Sequence, residues 1–92
     1  MVSKTFLMID PNGFHAGPTN ELVYTANQYL DCAIFGEHEG LRVTLHSILG
    51  VLSLSIRAGH VLTISVDGPN EEMAMKALQS VIECQEIGIL KK

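Results

Sequence analysis

The residue of this chain that is best suited to chemistry is a histidine close to the N-terminus. His15 follows an Asn12-Gly13 turn, which ends any preceding strand, and stands just before a predicted helix. Pro18 fits the first turn of that helix, because the N–H that proline lacks has no helical partner there. A helix start offers free backbone N–H groups and a positive dipole end to an anion. The segment therefore indicates a histidine that carries a phosphoryl group.

An imidazole suits such a carrier because it is nucleophilic when neutral, and its ordinary pKa is about 6.5. A phosphoramidate is labile, so the group can be passed on. The backbone N–H groups of Ala16 and Gly17 are predicted to hold the phosphate oxygens at the helix start. The alternative is that His15 is an unspecialised loop or helix-capping histidine, which is the commoner situation in a chain without a family match.

A serine in the middle of the chain is the second candidate site. Ser47 precedes the apolar run ILGVL at residues 48–52, and this position is typical of a helix N-cap. Phosphorylation would add about 1.5–2 negative charges there, which a helix start tolerates. The capping and the regulatory interpretations of Ser47 are compatible, and both stay open at this point.

Apolar residues near these two sites are predicted to form an exposed docking patch, since exposed apolar clusters often mark interfaces. The residues of the docking patch are Phe14, Ile48, Leu49 and Leu52. Helical spacing offers the alternative that some of this segment is core, with Ile48 and Val51 facing inward.

Length and composition indicate a single globular domain over residues 1–92. Apolar residues make up 47% of the chain and charged residues 17%, proportions that are typical of folded proteins. The net charge of −4, without a basic run, argues against a nucleic-acid partner. No apolar run approaches the roughly 20 residues that span a bilayer, so we expect no membrane insertion and a cytoplasmic location. Cys32 and Cys84 fit that compartment as reduced thiols.

Hydrophobic periodicity predicts the order strand, helix, strand, strand, helix, strand, helix. The predicted strands cover residues 2–9, 32–35, 41–45 and 61–66. The predicted helices cover residues 18–29, the apolar run after Ser47, and a segment that begins after a turn at 67–70 and ends before Gly88. Four strands and three amphipathic helices indicate a two-layer α+β domain with the helices on one sheet face.

Alternation along the strands predicts which residues face the helices and which face solvent. The polar positions expected on the open face are Ser3, Thr5, Thr44, Thr63 and Ser65. The positions of the third strand expected on the buried face are Leu41, Val43 and Leu45.

Three segments resemble the HPr family, the histidine-containing phosphocarriers of the bacterial sugar phosphotransferase system. They are NGFHAGP at residues 12–18, HSILGVLSL at 46–54, and the stretch from Arg57 to Gly68. The resemblance implies an open-faced β-sandwich, in which three helices cover one face of a four-stranded antiparallel sheet in the order β-α-β-β-α-β-α. It also implies a stoichiometric phosphocarrier that is not an independent enzyme, and we expect a monomer without cofactor or metal.

The resemblance assigns a role to each candidate residue. It implies that His15 accepts a phosphoryl group from Enzyme I and passes it to Enzyme IIA domains during sugar uptake. The residues implied to support the phosphate are Asn12, Ala16, Gly17 and Pro18. Ser47 matches the regulatory serine that HPr kinase/phosphorylase modifies, with catabolite control protein as a further partner. The docking patch is implied to contact the protein partners.

Gly17 is the main departure from the family pattern, which has an arginine at this position. Loss of a charge-assisted hydrogen bond costs about 1.5–3 kcal/mol, which slows transfer roughly ten- to a hundredfold when it falls on the transition state. His46, Tyr24 and Asn27 also stand where the family often has lysines. The sequence therefore predicts a phosphocarrier of reduced efficiency. The alternative is a regulatory HPr-like paralogue that acts through Ser47 without efficient histidine transfer.

A metal-binding domain is a third hypothesis, because the chain has four histidines. They are His15, His38, His46 and His60. No two of them have a dependable ligand spacing, and no cysteine lies close to them in a ligand pattern, so this hypothesis is disfavoured.

Overall fold

In the part of the chain that the structure describes, a five-stranded antiparallel sheet forms one layer and three helices form the other. The structure is a computed structural model that describes residues 1–12 and 16–91. The strands are β1 (Val2–Met8), β2 (Ala33–His38), β3 (Leu41–Thr44), β4 (Val61–Asp67) and β5 (Gly88–Leu90). The helices are α1 (Ala16–Ala26), α2 (Ile48–Ser53) and α3 (Glu71–Cys84). Within this described part of the chain, no helix is long and apolar enough to cross a membrane.

The order of strands in the sheet is β3-β2-β4-β1-β5, and every neighbouring pair is antiparallel. The predicted α+β architecture, with helices on one face of an antiparallel sheet, is therefore confirmed. The structure adds a fifth strand to the four that were predicted, since β5 pairs with β1 and places Ile89 opposite Leu7. With three residues, β5 is too short for alternation to reveal it in the sequence.

The end of α3 explains how the chain reaches β5. Glu86 has a φ of 55°, the left-handed conformation that closes a Schellman turn. Its N–H bonds to the carbonyl of Glu83 at 3.1 Å, and the N–H of Ile87 bonds to the carbonyl of Ile82 at 3.1 Å. Ile82 and Ile87 are both fully buried, as the apolar pair of this motif usually is. The helix is therefore stopped around Glu86, and Gly88, which was predicted as the stop signal, begins β5.

The first helix is shifted toward the N-terminus relative to the prediction. α1 begins at Ala16 and ends at Ala26, whereas the sequence predicted residues 18–29. Beyond Ala26, the N–H groups of Gln28 and Tyr29 bond to carbonyls three residues earlier, at 3.0 Å each. This tighter bonding turns the predicted last turn into a 3₁₀-like exit. Pro18 consequently lies within the first turn, where its missing N–H is tolerated.

The two faces of the sheet differ in the way that alternation predicted. The core-facing residues of β4 are Leu62, Ile64 and Val66, all fully buried. On the open face, Ser3 Oγ lies 2.9 Å from Ser65 Oγ, and Thr5 Oγ1 lies 3.1 Å from Thr63 Oγ1. These hydroxyl pairs are direct cross-strand neighbours of β1 and β4. The predicted polar face is therefore confirmed.

β3 is less buried than predicted because it is an edge strand. Leu41 is 49% exposed and Val43 is half-buried, whereas Leu45, just after the strand, is fully buried. β3 has only β2 as a neighbour in the sheet, and alternation does not guarantee burial at an edge. The expected buried face is therefore correct for Leu45 and wrong for Leu41.

The core lies between the sheet and the helices. Its largest fully buried side chains include Phe6, Met8, Leu22, Ile34, Leu45, Leu78, Ile82 and Ile87. Cys32 lies at the border of this core, where its thiol donates to the carbonyl of Pro69 at 2.9 Å and burial raises its pKa. Both Cys32 and Cys84 are free thiols, and Cys84 is exposed.

Candidate functional site

The first candidate site lies between the end of β1 and the start of α1. Gly13, Phe14 and His15 lie outside the described residues, so their roles stay predictions. Just before them, the N–H of Asn12 bonds to Oδ1 of Asp10 at 2.8 Å. An aspartate that accepts from the backbone two residues later is a common turn-forming device. The structure thus adds Asp10 to the site, a residue that was not among those predicted from the sequence.

The first turn of α1 begins with two exposed residues and contains no carboxylate. Ala16 and Gly17 are exposed, and Pro18 is buried. The first turn contains no acidic residue, so no carboxylate of that turn competes with a phosphate for the N–H groups. A Cβ built on Gly17 would meet no heavy atom within 4 Å, so a larger side chain fits at this position.

The loop between α2 and β4 lies against the same region. The N–H of Gly59 bonds to the carbonyl of Met8 at 2.8 Å, and the N–H of Met8 bonds to the carbonyl of His60 at 2.9 Å. The N–H of Arg57 bonds to Nδ1 of His60 at 3.1 Å, which closes the loop. A shallow surface depression is lined by Pro11, Asn12, Ser55, Ile56 and Arg57. The fold therefore brings Arg57 beside the Asn12 turn, a juxtaposition for which the sequence has no local signal.

The second candidate site is the start of α2, where the structure confirms Ser47 as the N-cap. Its backbone is extended, with φ −122° and ψ 124°, and its Oγ accepts the N–H of Gly50 at 3.1 Å. The N–H of Val51 bonds to the Ser47 carbonyl at 3.1 Å. A Cβ on Gly50 would lie 3.0 Å from the carbonyl oxygen of Thr44, so glycine fits this turn best. Ser47 thus supplies the acceptors for the N–H groups of both Gly50 and Val51.

His46 joins this helix start to two other elements. Its Nε2 lies 3.1 Å from the carbonyl oxygen of Cys32, and its Nδ1 lies 2.8 Å from Oδ1 of Asn27. Since a carbonyl only accepts, Nε2 is the donor in the first contact. His46 therefore connects the end of α1 and the start of β2 to the Ser47 cap. Local sequence patterns predicted neither contact of His46, because both partners lie far from it along the chain.

The described residues of the docking patch lie at the surface. Ile48 is 43% exposed, Leu49 is 79% exposed and Leu52 is 41% exposed, whereas Val51 is fully buried. The alternative that Ile48 and Val51 are both core is therefore right for Val51 and wrong for Ile48. Tyr24 of α1 adds a further large exposed side chain.

The histidines of the described chain are engaged in structural contacts. His38 and His60 stack with their ring centroids 4.7 Å apart, and Nδ1 of His38 contacts the carbonyl of Val61 at 3.0 Å. Over residues 1–12 and 16–91, no three or more His, Cys, Asp or Glu side chains are grouped so as to hold a metal ion. The geometry of the described histidines therefore lends no support to a metal centre.

Known proteins resemble this chain over most of its length. The family described as "PTS HPr component phosphorylation site" matches residues 2–84. The histidine-containing phosphocarrier protein of Mycoplasma shares the fold, with a TM-score of 0.91 at 23% identity over 95% of this chain and 98% of that one.

Two Bacillus proteins are more informative about ancestry. The phosphocarrier protein HPr of Bacillus anthracis is 35% identical over 87% of this chain and 94% of that one, with a TM-score of 0.79. Crh, a catabolite repression protein of Bacillus subtilis whose structure is a domain-swapped dimer, is 28% identical over 85% of this chain and 87% of that one, with a TM-score of 0.71. Because the family match spans most of the sequence and the fold agrees throughout, this chain belongs to the HPr family of phosphotransferase-system phosphocarriers, which are not enzymes.

Proposed function

We propose that His15 accepts a phosphoryl group from Enzyme I and passes it to Enzyme IIA domains. The observation that carries this proposal is the start of α1 at Ala16, immediately after the histidine, with Ala16 and Gly17 exposed and no carboxylate in the first turn. Such a helix start stabilises an anion through its free N–H groups and its dipole. The residues proposed to support the phosphate are Asn12, Ala16, Gly17 and Pro18.

The transfer step is a displacement at phosphorus. The lone pair of a His15 ring nitrogen forms the new N–P bond, while the bond between phosphorus and the donor breaks and its electron pair stays on the donor. The carrier contributes alignment and anion stabilisation, which are the main means of promoting phosphoryl transfer. The second transfer repeats this displacement, with His15 as the leaving group and the Enzyme IIA domain as the acceptor.

The docking patch is proposed to contact these partners. Leu49 is the most exposed of its described members, and it lies in the same helix as Ile48 and Leu52. The sequence has no lysine or arginine between Lys4 and Arg42 or between Arg42 and Arg57, so α1 and α2 carry no basic side chain. Electrostatic attraction toward an acidic partner is therefore weak at this face, which reduces the encounter rate.

The decisive experiment is phosphorylation by phosphoenolpyruvate and Enzyme I, followed by intact mass. The wild-type chain is expected to gain one phosphate, and His15→Ala is expected to gain none. Ser47→Ala serves as the matched control and is expected to gain the phosphate as wild type does. A wild-type chain that stays unmodified, or a His15→Ala chain that is still phosphorylated, would contradict the proposal.

Regulation through Ser47 without efficient histidine transfer is the second candidate function. It is supported by the N-cap geometry, since a phosphoserine at a helix start is favoured by the dipole, and by the similarity to Crh of Bacillus subtilis. The partners proposed for this function are HPr kinase/phosphorylase and catabolite control protein. The test is incubation with that kinase and ATP, with Ser47→Ala as control. Modification of Ser47 in a chain that Enzyme I leaves unmodified would favour this function over phosphate transfer.

A further inference from the structure

We infer that Arg57 binds the phosphoryl group at the site of His15, and so replaces the arginine that the family has at the position of Gly17. This inference rests on the proposed function of His15. It assigns a role to a residue in the loop between α2 and β4, which lines a surface depression together with Asn12.

The loop holds Arg57 in a defined place. Ser55 has a φ of 51°, which turns the chain sharply after α2, and Ile56 is buried with only 3% exposure. The next residue, Arg57, is exposed, and its N–H is held by Nδ1 of His60 at 3.1 Å. The Gly59 and Met8 backbone bonds described above then fix the loop to the end of β1. The depression between this loop and the Asn12 turn is consequently a preformed part of the fold.

The guanidinium group of Arg57 is available for a ligand. Among residues 1–12 and 16–91, it has no hydrogen-bond or ion-pair partner. Two other cations are engaged elsewhere, since Nζ of Lys4 bonds to Gln79 at 2.7 Å and the guanidinium of Arg42 lies 4.1 Å from the centre of the Phe35 ring. Arg57 is the basic residue that lines the depression with Asn12.

The chemistry of arginine fits this role. A guanidinium presents a planar fork of donors to two phosphate oxygens, and it keeps its charge throughout transfer. Gly17 offers a backbone N–H but no such fork, so the site lacks a charged donor unless another element supplies it. Arg57 therefore restores positive charge at the phosphate without changing the bonds that form and break during transfer.

The experiment tests substitutions of Arg57 and Gly17, singly and together, in the Enzyme I assay. The readout is the initial rate of His15 phosphorylation. Arg57→Ala is expected to slow phosphorylation roughly ten- to a hundredfold, the loss expected for one charge-assisted hydrogen bond. Arg57→Lys is expected to retain part of the rate. Arg42→Ala is the matched control, because it removes an arginine from the other edge of the sheet, and it is expected to leave the rate unchanged.

Rescue distinguishes phosphate binding from a structural effect. Gly17→Arg is expected to restore the rate of Arg57→Ala to near the wild-type value and to increase the rate of the wild-type chain by a smaller factor. If Arg57→Ala is phosphorylated as fast as wild type, or if Gly17→Arg gives the same gain in both backgrounds, the inference fails while the proposed function stands. A wild-type chain that gains no phosphate from Enzyme I would overturn both.

Discussion

The starts of α1 and α2 carry the two candidate sites, and they satisfy their first turns differently. At α2, Ser47 caps the helix, Gly50 fits tightly under the Thr44 carbonyl, and His46 ties the turn to neighbouring elements. At α1, Ala16 and Gly17 are exposed and open space surrounds Gly17. A phosphate on His15 would therefore meet an open helix start. A phosphate on Ser47 would have to replace an existing cap.

The start of α3 shows a third arrangement. Its N-cap residue, Asn70, has a φ of 60° and makes no side-chain capping bond. Glu71 compensates, because its Oε1 accepts the N–H of Gly68 at 3.2 Å, and its Oε2 lies 3.2 Å from the N-terminal amine. A helix start in this fold can therefore be satisfied by a hydroxyl or by a carboxylate, and the first turn of α1 contains no carboxylate.

The largest effect is expected from a carboxylate placed in the open turn of α1. Gly17→Glu should slow phosphorylation of His15 by at least tenfold, because a like charge beside the phosphate costs several kcal/mol in the worst geometry. The same variant should unfold at a higher urea concentration, since glutamate favours a helix start. Gly17→Gln is the neutral control and should keep the wild-type rate. An unchanged rate in Gly17→Glu would show that the phosphate does not lie at this turn.

The two helix glycines should respond to alanine in opposite directions. Gly50→Ala is expected to destabilise the fold by about 1–3 kcal/mol, because the new Cβ overpacks the turn against the Thr44 carbonyl oxygen 3.0 Å away. Gly17→Ala is expected to stabilise it by roughly 0.5–1 kcal/mol, since open space surrounds that position and alanine is the better helix former. Urea unfolding measures both values. If both alanine variants changed the free energy of unfolding equally and in the same direction, the two turns would be packed alike.

Removing the cap of α2 should have a moderate effect. Ser47→Ala is expected to lower the free energy of unfolding by about 1 kcal/mol, because the N–H of Gly50 loses its acceptor. Ser47→Asp is expected to recover most of that loss, since aspartate caps as well as serine. Chemical denaturation of Ser47→Ala and Ser47→Asp measures both changes in the free energy of unfolding. If Ser47→Asp were as unstable as Ser47→Ala, an acidic group at this position would be incompatible with the cap.

The smallest effect is expected at α3 and depends on pH. The Gly68 N–H, aided by the N-terminal amine, lowers the pKa of Glu71 below its ordinary value of 4.5. The resulting stabilisation is present above pH 4.5 and disappears as the pH falls through the lower folded pKa. Glu71→Gln should therefore be less stable than wild type at pH 7 and equally stable in strong acid. Glu72→Gln, a change at an exposed neighbour, is the control, and a difference between wild type and Glu71→Gln that persists in acid would contradict this assignment.

Local patterns in the sequence were sufficient for the existence and order of the three helices and four of the strands, and for the Ser47 cap. Period-two alternation identified the buried and open faces of β4, and an apolar run after a serine identified the start of α2. These signals work because each depends on neighbours within a few residues along the chain. The glycine at position 17 was likewise visible without any structure.

The remaining features depended on contacts between residues far apart in the chain. β5 exists because the Glu86 turn directs the chain to the edge of β1, and Leu41 is exposed because β3 lies at the other edge. The approach of Arg57 to the Asn12 turn depends on backbone bonds between Met8 and the loop at 57–60. The sequence by itself thus indicated which residues are candidates for chemistry and which segments are regular. Only the packing of the sheet and its loops decided which of those residues meet, because strand register and edge position are set by the whole fold.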